Sequence, residues 1–211
     1  MTTLSDYITQ VRRLLHDANA NFWTDQELTD DINGARNRLV RDTGVNRILQ
    51  SSSVIQNQES YSFSALPQGS LTLDIVNINL YWGNSRIPLR YLPWTQFNAE
   101  LRYWQNYVGR PIAYSMYGSQ TFYVGPVPDQ YYSIELDSIV QPTDLVNMSD
   151  VDTIPLPFTE PVPFYAAYTA KYKEQSYGEA EIFKNEYIKK VQNVLVTQFQ
   201  RRMPDPYSSV Y

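Results

Sequence analysis

The residues of this chain best suited to chemistry are its carboxylates, and their spacing leaves two readings open. Asp150 and Asp152 in the stretch SDVD lie two apart in an irregular segment, where both could ligate one divalent cation or both could be solvated acids. A glycosidase needs one carboxyl as acid and a second as base or nucleophile, but with 22 acidic residues some pair always looks adjacent, and nothing singles one out. His16 is the only histidine; it lies in a helical pattern, is followed by Asp17, and reads as a surface or boundary residue. One histidine removes His-rich metal sites and leaves a histidine-based triad little room. The chain has no cysteine, which excludes disulfides, thiolate zinc sites and cysteine nucleophiles. GxGxxG, Walker-type, HExxH and GxSxG patterns do not occur either. The expectation is a protein without catalytic residues, metal or cofactor.

Side chains suited to binding are more prominent. Arg36, Arg38 and Arg41 recur along one predicted helix, either as a solvated face or as a subunit or partner contact with carboxylates, which the forked guanidinium suits. Tyr81, Trp82, Tyr91, Trp94, Tyr103 and Trp104 are spread over a β-rich region and could stack on sugars or bases, or serve as core and interface residues. Tyrosine, at 18 copies against 8 phenylalanines, combines contact area with a polar handle, as interface residues do. Residues 1–42 hold five basic and seven acidic side chains, residues 43–157 five and nine, and residues 158–211 seven and six. A grip on nucleic acid phosphates needs a basic patch, and the middle of the chain is the opposite.

The elements that must position these residues follow from local signals. Thr3 with Asp6, and Thr24 with Glu27, have capping-box spacing, and Trp23 can staple onto Leu28. Leu4, Ile8, Val11 and Leu15 share one helical face; Leu28, Ile32, Ala35 and Leu39 share another, before a stop at Gly44. Gly34 in mid-helix suggests close packing against another backbone. From about residue 48 the period becomes two: SYSFSAL, LTLDIVNINLYW, RIPLRYL, PIAYSMY, TFYVGPV and YYSIELDSIV are short strands between turn residues, interrupted by one helix from about Trp94 to Tyr107. In the last run Tyr132, Ile134, Leu136 and Val140 point to one face, and Ser133, Glu135 and Asp137 to the other. Helical spacing returns with Tyr165, Thr169 and Tyr172 on one face, then Ala180, Phe183, Tyr187, Val191 and Leu195.

The predicted fold is therefore α+β: a helical bundle from the N- and C-terminal helices with an inserted, mostly antiparallel β domain and an extended C-terminal tail. The boundaries are 1–45 for the first helical part, 46–142 for the β domain, 143–157 for a linker, 158–203 for the second helical part and 204–211 for the tail. No run of eighteen apolar residues and no secretory layout occurs, so the expectation is a soluble chain without a membrane. The last eleven residues, RRMPDPYSSVY, hold two prolines that end helical structure, yet also Tyr207, Val210 and Tyr211, which solvated tails normally lack. They are either incidental composition or a segment that packs on another protein.

Three stretches together resemble a known family. LSDYITQVRRLLHDANANFWTDQELTDDINGARNRLVRDTG is similar to the opening of the head-to-tail adaptor, or connector, proteins of tailed phages, in which a W-[ST]-D-x-E-L element starts the second helix. TFYVGPVPDQYYSIELD resembles the family's strand–PVPDQ–strand hairpin, and VDTIPLPFTEPVPFYAAYTAKYKEQSYGEAEIFKNEY its return to helix. The likeness is nearest to the adaptors of short-tailed, podovirus-type phages, the tail tubular protein A type; residues 45–110 match only in general character.

The resemblance implies a structural virion protein of the phage neck, assembled in the host cytoplasm as a ring beneath the portal, with twelve subunits following from the portal's symmetry. It further implies that Arg201, Arg202, Met203, Pro204, Asp205, Pro206, Tyr207, Ser208, Ser209, Val210 and Tyr211 reach up to bind the portal protein. Arg36, Arg38 and Arg41 would then lie at subunit interfaces, and Tyr81 and Trp82 would face the next tail component, a nozzle or tail tubular protein. Genomic DNA would pass through the ring during ejection without specific binding, which an acidic balance suits. Some relatives are linked to cell-wall degradation, and no carboxylate pair here matches such an activity. A virion-associated peptidoglycan-cleaving enzyme and a carbohydrate-binding module remain the alternatives.

Overall fold

The computed structural model describes residues 2–104 and 107–199, and the chain divides into two compact units, residues 1–46 with 142–211 and residues 47–141. The first unit is helical. α1 (Leu4–Leu15) and α2 (Asp25–Thr43) each begin with a complete capping box, Thr3 with Asp6 and Thr24 with Glu27, in which each side chain takes up the other residue's backbone N–H. Both helices stop in a left-handed residue, His16 at φ 57° and Gly44 at φ 64°. His16 is exposed there. α4 (Val162–Lys173) and α5 (Tyr177–Phe199) complete the unit.

α4 buries a different face from the one its tyrosines suggest. Val162, Ala166, Ala167 and Ala170 are enclosed, whereas Tyr165, Thr169 and Tyr172 are half-buried or exposed. The reason is steric: α4 packs against α1, α2 and α5, and alanine lets helix axes approach where a tyrosine ring would hold them apart. The rings meet one another edge-on or tilted instead, Tyr165 against Tyr168 (5.4 Å) and Tyr187 (4.9 Å), Tyr168 against Tyr172 (5.9 Å), and Tyr172 against Tyr177 (5.3 Å). Gly34 also departs from expectation, because a Cβ added there meets nothing within 4 Å.

Among its described residues the second unit has ten strands, one α-helix and two short 3-10 turns. One antiparallel sheet has the order β1 (Arg47–Val54), β10 (Tyr132–Val140), β3 (Thr72–Trp82) and β4 (Ser85–Pro88). A second has the order β2 (Ser60–Ser62), β8 (Thr121–Gly125), β7 (Ala113–Tyr117) and β5 (Arg90–Tyr91), with β5 parallel to β7. β6 (Val108–Gly109) and β9 (Val127–Pro128) form a short parallel pair, and α3 runs from Trp94 to Trp104. The alternation expected for β10 holds: Tyr132, Ile134, Leu136 and Val140 are buried, and the first three join Val54, Ile78, Leu80, Phe63, Phe122 and Tyr114 in the core. The β3–β4 hairpin turns through Gly83 at φ 59°, a left-handed conformation that glycine adopts without strain, and this sets Trp82 opposite Ser85 at the tip.

Candidate functional site

Asp150 and Asp152, the two carboxylates that could ligate a cation, are both engaged within the chain. Asp150 accepts the backbone N–H groups of Val146 and Asn147 at 2.9 and 2.7 Å, and these bonds hold its carboxyl below the usual range. Asp152 is enclosed and accepts from Arg36 Nη2 at 2.8 Å, the Tyr7 hydroxyl at 2.5 Å and the Ile154 N–H at 3.0 Å. Arg36 in turn donates to the Asn33 side chain at 2.9 Å and the Thr143 carbonyl at 3.0 Å. Burial, then the charge of Asp152, push the Tyr7 hydroxyl well above its ordinary value, so it stays a donor. Among the described residues no group of three or more histidines and acids is placed to hold a metal.

This network assigns new roles to two stretches. Arg36 is 0% exposed, so it does not share a surface stripe with Arg38 and Arg41, which are both exposed. Its guanidinium is committed to a buried carboxylate of the same chain. The segment 143–157, irregular as expected, is packed into the helical unit rather than left as a loose linker: Leu4 and Ser5 donate backbone bonds to the carbonyls of Asp150 and Met148, and Asp152 donates to that of Thr2. Arg12 organises the α1–α2 turn in the same way, bonding Asp17 at 3.1 Å, the Trp23 carbonyl at 2.9 Å and Asp25 at 2.6 Å. Burial raises the Asp17 carboxyl, but the N–H groups of Trp23, Asn21 and Phe22 together with Arg12 outweigh it and bring it below the usual range.

The surfaces left open differ between the units. On the helical unit, Arg38 bonds Asp42 at 2.9 Å, and Tyr187 donates to the same carboxylate at 2.9 Å. Arg41 is exposed close by, and Tyr172, Tyr177, Ile182 and Ile188 are exposed on α4 and α5. On the β unit, Tyr81 donates to Glu135 at 3.1 Å, and Glu135 also pairs with Arg86. Trp82, 55% exposed, carries the Arg110 guanidinium 4.3 Å from its ring centroid. A cleft of 470 Å³ beside them is lined by Tyr107, Ile112, Pro126, Asp129 and Tyr132. Trp94, by contrast, is packed among Phe97, Tyr117 and Tyr123, and Tyr91 against Tyr114.

An aromatic ring covered by a guanidinium presents less free face to a sugar, and the combination of Trp, Tyr and Arg is the one that anchors protein interfaces. Arg110 carried no signal of its own in the sequence, since its partner Trp82 lies 28 residues away in another hairpin. The proposed portal-binding residues 201–211 lie outside the described residues, as do the side chains of Tyr103 and Trp104. No described helix is long and apolar enough to cross a membrane.

The profile of the SU10 adaptor protein family matches residues 2–207, nearly the whole chain. A comparison with curated proteins finds no match.

Proposed function

The chain belongs to the SU10 adaptor protein family, a structural family of phage virions, and from that premise we propose that it forms the ring that joins head to tail. Copies assemble side by side beneath the portal, twelve to match the portal's symmetry, and extend the channel through which DNA leaves. Residues 201–211 dock on the portal protein, since their tyrosines and valine need a surface that another protein supplies. Engagement of many copies at once makes a weakly held segment effective. Arg38, Arg41 and the exposed tyrosines of α4 and α5 form the contacts between subunits. Tyr81 and Trp82 face the next tail component. The match over residues 2–207 carries this reading, and the exposed positions of Arg38, Arg41 and Trp82 support it.

Native mass spectrometry of the chain with its phage's portal, using full-length protein and a version ending at Met203, tests the reading. Ring-sized additions to the portal that weaken on truncation are expected. Full binding by the shortened chain would remove the docking role of residues 204–211, and no binding by either would remove the portal-docking reading.

A further inference from the structure

The two four-stranded sheets of the β unit have four edges among the described residues, and three are blunted. β4 has four residues, carries Arg86 and ends on Pro88; β2 has three residues and β5 two. β1 differs. It runs for eight residues, pairs with β10 without a register shift, and contains neither proline nor lysine. Its single charge, Arg47, is paired with Asp137. Every second residue of such a strand turns its N–H and C=O away from β10, which makes a long unprotected edge a template for another strand. Leu49 on this strand is 61% exposed. A groove of 610 Å³ starts at Ser51, Ser52 and Ser53 of the strand and at Ala65, Leu66 and Pro67, and reaches across Ser133 and Ile134 of β10 to Tyr81 of β3. The groove walls carry hydroxyl and apolar groups and no charge, which suits an extended peptide more than an ion.

We propose that the β1 edge of one copy receives residues 203–211 of another copy as an added antiparallel strand. Pro204 and Pro206 lie two apart, so in an extended segment both missing N–H groups fall on the same edge. The other edge keeps the N–H groups of Asp205, Tyr207, Ser209 and Tyr211. Such a segment adds to one strand and, with its outer edge blocked, cannot recruit a further one. The direction follows from charge. Antiparallel to β1, the segment brings Arg201 and Arg202 to the Val54 end, where Glu59 and Asp129 lie; neither is ion-paired among the described residues. Asp129 is fixed near that end, because its carbonyl accepts from Gln56 at 2.8 Å and its carboxylate from Tyr132, the partner of Val54. The inference rests on the reading of residues 201–211 as a docking segment and adds a second receptor for it, by which copies hold one another before or apart from the portal.

The test is hydrogen–deuterium exchange of the full-length chain carrying Ser209→Pro, whose own segment cannot pair and whose β1 edge is therefore free. Three synthetic peptides of residues 200–211 are added in excess: unmodified, N-methylated at Ser208, and N-methylated at Ser209. The unmodified and Ser208-methylated peptides are expected to slow exchange in Arg47–Val54 about tenfold, and the Ser209-methylated peptide to have no effect. No slowing by any peptide overturns the proposal. Equal slowing by the two methylated peptides also overturns it, since binding would then not use the strand's inner edge. Portal binding is measured separately with the truncated chain, so either idea can fail while the other stands.

Discussion

Replacing Arg36 by alanine removes the only ion-pair partner, among the described residues, of a carboxylate whose side chain is fully enclosed. Asp152 keeps the Tyr7 hydroxyl and the Ile154 N–H but loses its counter-charge, while the Asn33 side chain and the Thr143 carbonyl each lose a donor. Breaking one side of a buried pair costs about 3–5 kcal/mol. At a urea slope of about 2 kcal/mol per M, that lowers the unfolding midpoint of the helical unit by about 2 M. Far-ultraviolet circular dichroism follows that unit, whose helices supply most of the signal. The pairwise part is isolated by a cycle with Asp152→Asn and with the double variant Arg36→Ala/Asp152→Asn, in which neither charge remains to be buried alone. The double variant should cost at least about 2 kcal/mol less than the two single changes combined. If the changes add to within about 0.5 kcal/mol, or if Arg36→Ala costs under about 1 kcal/mol, the pair is not the fastening described and Arg36 becomes free for another role.

Other outcomes follow from the same geometry. Asp6, Asp17, Glu27 and Asp150 all have folded carboxyls below their ordinary values, so their contribution is present above about pH 4 and is lost as pH falls through the folded values; acid unfolding followed by circular dichroism should show it. Asp31 acts in the opposite sense, because burial, only partly offset by Lys173, raises it. At the alkaline end the enclosed Tyr7 and Tyr187 are raised, and Tyr114 is pushed up to about 12, so stability present below pH 10 should fall as the unfolded phenols ionise above it. Gly69→Ala should cost about 1–3 kcal/mol by thermal unfolding, since the new Cβ would lie 2.1 Å from the Phe63 carbonyl oxygen. Arg38→Ala should change unfolding by no more than about 0.5 kcal/mol, its bond to Asp42 being an exposed pair one helical turn apart, yet weaken ring assembly in mass photometry with the portal. Arg110→Ala likewise should leave unfolding within about 0.5 kcal/mol and weaken capture of the next tail component in pull-down.

Features carried by neighbours in the chain were legible without a structure. A capping box spans three residues, so Thr3 with Asp6 and Thr24 with Glu27 announce the starts of α1 and α2, and Gly44 announces the stop. Alternation in β10 needs only a period of two, and the α+β class follows from where the period changes. What required the tertiary structure is every choice between chemically equivalent residues. Arg36, Arg38 and Arg41 look alike in sequence, and only the packing of a segment 116 residues away turns the first into a buried partner of Asp152. Asp150 and Asp152 likewise part into a turn cap and a buried anchor because one faces a loop's N–H groups and the other a guanidinium. The same holds for α4: spacing puts Tyr165, Thr169 and Tyr172 on one face, but which side of a helix is enclosed depends on how near its neighbours come, and alanine permits the nearest approach. Sequence determines local geometry through bonds a few residues long; the environment that distinguishes one arginine, acid or helix face from another exists only once distant segments have met.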